Sequence, residues 1–458
     1  MLFAARLMSV RAVPFSRNVS GAPGVPPQAT RPIRAAIDAL EHRRMLATYN
    51  ATNGNDIINI RYDMQSTTVQ INSVLFGTSS PTDVIVNALD GNDVINIYGM
   101  APDRLVSVNG GNGDDHVDVG GGLYSVNIVG SLNYNGGGGD DSIVYDDTDN
   151  TENDTYLFFN VNTFDMNTPA APTITSNVEH KTVEAGRAHD ALQILSGSGD
   201  IHLHGNAGND MVIVTDMTDG SVTVDTGSEV TAGGDSINVN SDSTGAGDEP
   251  ITVTVNQDDT IGGLTVLKNG TLRLANDAVL KKASGTLNVV GTIDVGGGAL
   301  LGVMPITQIT TFLNTGYNNG TWNGTSDTGA INSSLAASTP IGDGVGYGLS
   351  SQIAISTIGG FNIAPGDLLL RYTLDGDTDL DHDVDFNDLL RVGQNYNPTS
   401  GGKVWTQGNF NYNAADNVTG AVGFADLLRL SQNYNRSLAM TTVVGAVRFG
   451  SRLIEEVL

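Results

Sequence analysis

Along most of the chain apolar and polar residues alternate in runs of three to five, and each run stops at Gly, Asn or Asp. The clearest are Ile251-Thr-Val-Thr-Val255, Leu264-Thr-Val266, Thr271-Leu-Arg-Leu274, Leu287-Asn-Val289 and Thr292-Ile-Asp-Val295. A period of two puts every second side chain on one face, so each run reads as a short strand buried on one side. Strands this short, separated only by turns, predict a mainly β fold with a parallel β-helix or solenoid over residues 49–301. An ordinary β-sandwich is the competing arrangement. Residues 302–373 follow as a Gly- and Asn-rich β lead-in ending in a strand at Asp367–Thr373. Helical spacing then begins at Leu389-Leu390-Arg391-Val392, so a small α-helical unit is expected over 374–436, followed by a tail, 437–458.

Many of the earlier strands are introduced by the same turn. Gly-Asn-Asp or Gly-Asp-Asp precedes an apolar alternation and ends at Asp56, Asp93, Asp115, Asp141 and Asp210, with Gly-Gly-Asp235 as a further example. These turns are similar to the Gly- and Asp-rich repeat of RTX proteins, which binds calcium in a parallel β-roll. That repeat is nine residues long; here the Asp recur at intervals of 37, 22, 26, 69 and 25. A coil of three short strands takes roughly 20–29 residues, which suits one such turn per coil. Stacked coils would place Asp93, Asp115 and Asp141 about 4.8 Å apart. Like charges that close need a cation or must splay apart. The Gly-Thr-Leu pattern of 251–301 also resembles the β repeats of autotransporter passenger domains.

The densest chemistry lies in Asp377-Thr-Asp-Leu-Asp-His-Asp-Val-Asp-Phe-Asn-Asp388. An EF-hand-type calcium loop needs side-chain oxygens at positions 1, 3 and 5, a carbonyl at 7, often a water-mediated ligand at 9, and a carboxylate at 12. Counting from Asp377 places Asp379, Asp381, Asp383, Asp385 and Asp388 at those positions, with Val384 as the apolar residue at position 8. From Asp375 to Asp388 there are seven carboxylates and neither Lys nor Arg. That density repels itself unless a divalent ion is bound. Calcium is therefore the expected cofactor, held by Asp377, Asp379, Asp381, Asp385 and Asp388 with the Asp383 carbonyl. Val384, Phe386, Leu390 and Tyr396 are expected to pack the following helix on its neighbour.

Asp388-Leu-Leu-Arg-Val-Gly-Gln-Asn-Tyr-Asn397 returns 38 residues later as Asp426-Leu-Leu-Arg-Leu-Ser-Gln-Asn-Tyr-Asn435. Two loop-plus-helix units in tandem, with Asp at position 12, resemble the type I dockerin module over about 374–435. The resemblance implies calcium-dependent docking to a cohesin-like or other surface protein, and by association the breakdown of polysaccharides. Two departures stand out. His382 occupies position 6, where Gly is usual because the turn needs positive φ. The second loop is poor in acids: taking Asn409, Asn411 and Asn413 as positions 1, 3 and 5 with Asp426 as 12 needs a six-residue insertion. An ungapped count puts Ala415 at position 1. A weak or empty second site is expected either way.

Composition narrows the function classes. The 458 residues carry a net charge of −28, with no cysteine. Seven Arg sit in the first 44 residues, leaving 48 acids against 15 Lys and Arg in the rest. Such an acidic body repels nucleic acid and anionic membranes, and without Cys there are no disulfides or thiolate metal sites. Residues 1–48 read as a targeting or linker region. Their Leu40-Glu-His-Arg-Arg-Met-Leu46 is similar to an N-terminal motif of exported planctomycete-type proteins, as the 313–372 segment is to the lead-in before their dockerin-like modules. No segment has the ~20 apolar residues of a membrane span. Catalytic residues are unknown: His202 and His204 share a strand face without an identifiable third ligand, and the candidate bases Arg61, Arg104, Lys181, Arg187 and Arg273 lie in no distinctive motif. Two functions result. One is an extracellular or cell-surface structural or adhesion protein with calcium-dependent docking. The other is an extracellular polysaccharide-degrading or polysaccharide-binding protein.

Overall fold

The computed structural model describes residues 46–77, 83–166, 174–229, 234–239, 250–275, 277–339, 342–412 and 420–438. The expectations for residues 1–45, for Asn413 and for the tail from 439 onward lie outside these. The described residues form one compact unit.

The fold is mainly β, with large and mostly parallel sheets. Successive strands go by turns to two sheets. Asp83–Asp90, Leu105–Asn112 and Ser131–Gly138 pair in parallel in a twelve-stranded sheet; Val94–Ile97, His116–Val119 and Ser142–Asp146, each following one of them, pair in parallel in a thirteen-stranded sheet. Two hairpin insertions break the parallel order, Ile57–Tyr62 with Thr67–Ile71 and Thr155–Asn160 with Thr163–Met166.

The period-two alternation becomes stacked columns in register. Ile60, Ile97, Val119, Tyr145, Val183, Leu203, Val224, Val255 and Leu274 face one another strand by strand, and all are essentially inaccessible. Registry is fixed because a one-residue slip would turn every such column to the other face. A parallel column runs from Ile58 to Ile331 with one polar member, Lys181. Its ammonium group is buried and donates to the carbonyls of Val178 and Ser198, each at 2.9 Å. On the other sheet Asn50, Asn87, Asn109, Asn135 and Asn177 stack in register, with amide-to-amide bonds of 2.7, 2.7 and 3.2 Å at three of the four steps.

The Gly-Asp turns occupy two places in the fold rather than one. Asp56, Asp93, Asp115 and Asp141 lead into strands of the thirteen-stranded sheet, whereas Asp210 and Asp235 lead into strands of the twelve-stranded sheet. The 69-residue interval is the switch between them. Glu179 continues the first series and Asp154 and Asp190 begin the second, without the Gly-Asn-Asp signature.

Backbone glycines make room for these carboxylates. A methyl group added at Gly110 would land on Asp115, and one at Gly136 on Asp141. Gly110→Ala is expected to lower stability by about 1–3 kcal/mol through overpacking, measured by denaturant unfolding. A neutral result would mean that the Asp115 side chain has room to move aside.

The expected β lead-in contains a twelve-residue helix, Ile306–Tyr317. Its Thr and Ile suit a strand, but Ile309, Phe312, Leu313, Gly316 and Tyr317 fall on one helical face and are the buried ones. Beyond it, Leu368–Leu374 runs antiparallel between Ala299–Gly302 and Asp343–Leu349 and is buried throughout. This strand delivers the chain to Asp375.

Candidate metal centre

The loop from Asp377 turns tightly enough to need positive φ at Leu380 (59°) and His382 (76°). His382 holds that conformation through its ring. Arg371 donates to Nδ1 at 3.0 Å, so Nε2 carries the proton and donates to the Tyr372 carbonyl at 3.0 Å. Burial, reinforced by Arg371, keeps the imidazole neutral, with its pKa lowered to about 4. Arg371 also donates to the Leu380 carbonyl at 3.1 Å. Thus the residue that replaces the usual Gly is fixed by a buried guanidinium beneath the loop.

Carboxylate oxygens of Asp377, Asp379 and Asp388 lie within 4.8 Å of one another, and so do those of Asp383, Asp385 and Asp388. Asp388 belongs to both groups. It accepts Thr378 N–H at 2.6 Å, Thr378 Oγ1–H at 2.7 Å and Asp385 N–H at 2.8 Å. Asp385 caps the helix Phe386–Asn395 by accepting Asn387 N–H at 2.6 Å. Asp377 accepts the Thr373 hydroxyl and, at 3.0 Å, His382 N–H. Asp383 Oδ1 is buried without a hydrogen-bond partner among the described residues. Asp381 belongs to neither group; its carboxylate accepts Asp383 N–H at 3.1 Å.

The site resists its own charge. Burial, together with Asp388, pushes Asp377 up to about 8. Burial, with Asp388 and Asp381 adding and Arg391 opposing, pushes Asp379 up to about 7. Asp383 and Asp388 are raised for the same first reason. The nearest cation, Arg391, stands 3.5 Å from Asp379. An all-carboxylate oxygen set, buried at Asp377, Asp379 and Asp388 and part-buried at Asp383 and Asp385, with an orphaned oxygen fits a hard divalent cation.

The second repeat folds as a copy in its hydrogen bonds. Phe410 N–H donates to Asp426 Oδ1 at 2.8 Å and Gly423 N–H to Oδ2 at 2.9 Å, as Thr378 and Asp385 do to Asp388. Asn409 and Asn411 therefore stand where Asp377 and Asp379 do, and both are buried; the gapped count matches these bonds. The two units also clasp each other. Asn435 N–H donates to Val384 O at 2.8 Å and Asn397 N–H to Val422 O at 2.9 Å, each residue being 38 positions from its counterpart.

Val384 is buried, as expected, but Phe386, Leu390 and Tyr396 are not: they are 63%, 47% and 45% exposed. Their counterparts Phe424, Leu428 and Tyr434 are exposed too, by 69%, 46% and 39%. Inward positions on the helices are taken instead by Asp388 and Val392, and by Asp426, Leu430 and Asn433. The pair is anchored to the strands behind it. Trp405 Nε1 donates to Asp377 O at 2.6 Å, Tyr412 donates to Val345 O, Asn433 Nδ2 donates to Asp375 O at 2.7 Å, and Arg429 bridges Asp375 and the Tyr317 hydroxyl.

Elsewhere the candidate residues do not converge. The His202 and His204 rings are 6.4 Å apart, and His204 lies between Glu184 and Asp225 at 3.9 and 3.4 Å. Arg61 stacks on Tyr98, Arg187 pairs with Asp149, and Arg273 pairs with Asp294. Among the described residues no helix is long and apolar enough to cross a membrane. Compared with models of known protein families, with curated proteins and with solved structures, the chain finds no match.

Proposed function

We propose that this is a secreted or cell-surface structural protein in which a β-solenoid body carries a dockerin-like docking unit whose first loop binds calcium. The observation that carries the reading is the gathering of Asp377, Asp379 and Asp388 under burial. Calcium would be held by these three with Asp383 and Asp385, supplying the positive charge that the loop lacks. Because metal binding is coupled to local folding, millimolar exterior calcium would hold the loop closed. The solenoid reading is supported by the strands' alternation between two parallel sheets. Asn in place of Asp at two ligand positions leaves the second loop a structural partner.

Docking is supported by the exposed apolar side chains that repeat on the two helices, Phe386 with Phe424 and Leu390 with Leu428. Substituting Phe386→Ser and Phe424→Ser is expected to leave folding and calcium binding intact. It should weaken calcium-dependent binding to a panel of cohesin modules or to the producing cell's envelope at least tenfold, on the order expected for interface aromatics. Binding that ignores both chelator and these substitutions would contradict the docking role.

A further inference from the structure

Buried acid is also concentrated in the β body, in two columns. In the first, the backbone N–H of Asp56 donates to Asp93 Oδ1 at 2.7 Å, that of Asp93 to Asp115 at 2.9 Å, that of Asp115 to Asp141 at 2.9 Å, and that of Asp141 to Glu179 at 3.0 Å. In the second, Asp154 donates to Asp190 at 2.8 Å, Asp190 to Asp210 at 2.8 Å, and Asp210 to Asp235 at 2.7 Å. Each amide satisfies one oxygen of the next carboxylate. The remaining oxygens of Asp93, Asp115 and Asp210 have no hydrogen-bond partner among the described residues, and each residue is 1% exposed.

The groups facing them are acids. Asp56 and Asp115 flank Asp93. Asp93, Asp141, Asp114 and the orphaned Tyr134 hydroxyl surround Asp115. Asp141 has Glu179, Asp114 and Asp140 beside it, and Asp210 has Asp190, Asp235 and Asp259. The nearby His116 and His180 bond Ser142 and Asp140. The free oxygen of Asp115 and the carbonyl oxygen of Gly136 both border the space beside Gly110. Asp210 and the Thr226 carbonyl do the same beside Gly205. The space beside each glycine is too small for a methyl group, and each amide donor sits where a cation would need a lone pair. Two oxygens that border so small a space repel, whereas a proton on the carboxyl turns the pair into O–H···O=C.

We propose that protons, not metal ions, hold these two carboxylate columns together, so that mild acidification tightens the β body. Burial first, and neighbouring acids second, raise Asp115 to about 6 and Asp210 to about 7. A carboxyl whose folded pKa exceeds its unfolded one binds protons on folding, so its penalty is absent at low pH and complete above the folded value.

The test is thermal unfolding of the full chain in chelator between pH 8 and pH 5, compared with the Asp115→Asn, Asp210→Asn variant. Asn keeps the amide's acceptor, removes the charge and offers a donor to the facing carbonyl. The wild type should gain about 3–5 °C on acidification. The variant should unfold higher than wild type at pH 8 and show a smaller pH response, the remainder belonging to the calcium-free loop, where Asp377 and Asp379 are raised as well. Should the variant not fold, hydrogen exchange of the wild-type amides of Asp93 and Asp190, corrected for intrinsic rate, should slow towards pH 5. An unfolding temperature that falls with acidification overturns the proposal, as does a pH response that the substitutions leave undiminished. Calcium-dependent stabilisation at pH 8 that the variant lacks would overturn it too, in favour of a metal ion in the columns.

Discussion

Replacing Asp379 by Asn will weaken calcium binding about 100-fold, on the order expected for one charged ligand in such a loop, yet leave the calcium-free protein as stable as wild type or more so. The two effects have opposite signs for one reason. Asp379 is nearly inaccessible, and its carboxylate faces Asp388 and Asp381, with Arg391 as the single opposing charge 3.5 Å away. Among the described residues no backbone N–H leans on it as Thr378 and Asp385 lean on Asp388, so the amide removes repulsion without orphaning a donor. Raised folded pKa values mean that the calcium-free loop is most stable in acid and loses stability as pH rises from about 4 towards 7–8, the loss being complete once Asp379 and Asp377 have ionised. Bound calcium reverses that dependence, because it needs the ionised form. Thermal unfolding of both proteins at pH 6 and pH 8, in calcium and in chelator, reads all four states. A variant less stable than wild type in chelator at pH 8 would show that Asp379 is not strained by its neighbours.

Trp405→Ala will cost about 3–5 kcal/mol, as for a large buried aromatic, and will also weaken calcium binding although Trp405 is no ligand. Its indole N–H holds the Asp377 carbonyl, its ring lies 5.0 Å from Phe410 and 5.8 Å from Tyr412, and Gly344 and Gly346 carry no side chain where it packs. Tyr412 in turn contacts Trp322, Tyr317 and Tyr347. One aromatic chain thus ties the first loop, the second loop and the strands behind them. Calorimetric unfolding of this variant should show the calcium-dependent step lowered together with that of the strands. A separate, unchanged transition for the strands would mean that the loop–helix pair is a tethered module without a shared core.

The strands and the loop were legible in the sequence because both depend on short periods. Every expected run between Ile251 and Val295 became a parallel strand, with ends shifted by a residue at most. The spacing of Asp377, Asp379 and Asp388 is local as well, which is why counting found them. What escaped depends on distant partners. The switch of the Gly-Asp turns from one sheet to the other leaves no mark except the 69-residue interval, since Glu179 and Asp190 enter the columns without a glycine signature. Nothing near His382 announces Arg371, eleven positions earlier, as the group that fixes its ring. Phe386 and Leu390 read as core because apolar residues at helical spacing usually are. Here the inward face is filled by Asp388 and Val392, and only the burial of each side chain tells the two faces apart.

Calorimetric titration of the full chain with calcium, run at pH 7 in two buffers of different ionisation heat, addresses the central claim most directly. A single strong site is expected, with protons released on binding because burial leaves Asp377 and Asp379 partly protonated in the calcium-free loop. Asp379→Asn should weaken that site. No binding heat, or a site indifferent to Asp379, would contradict the assignment of this loop as a calcium centre.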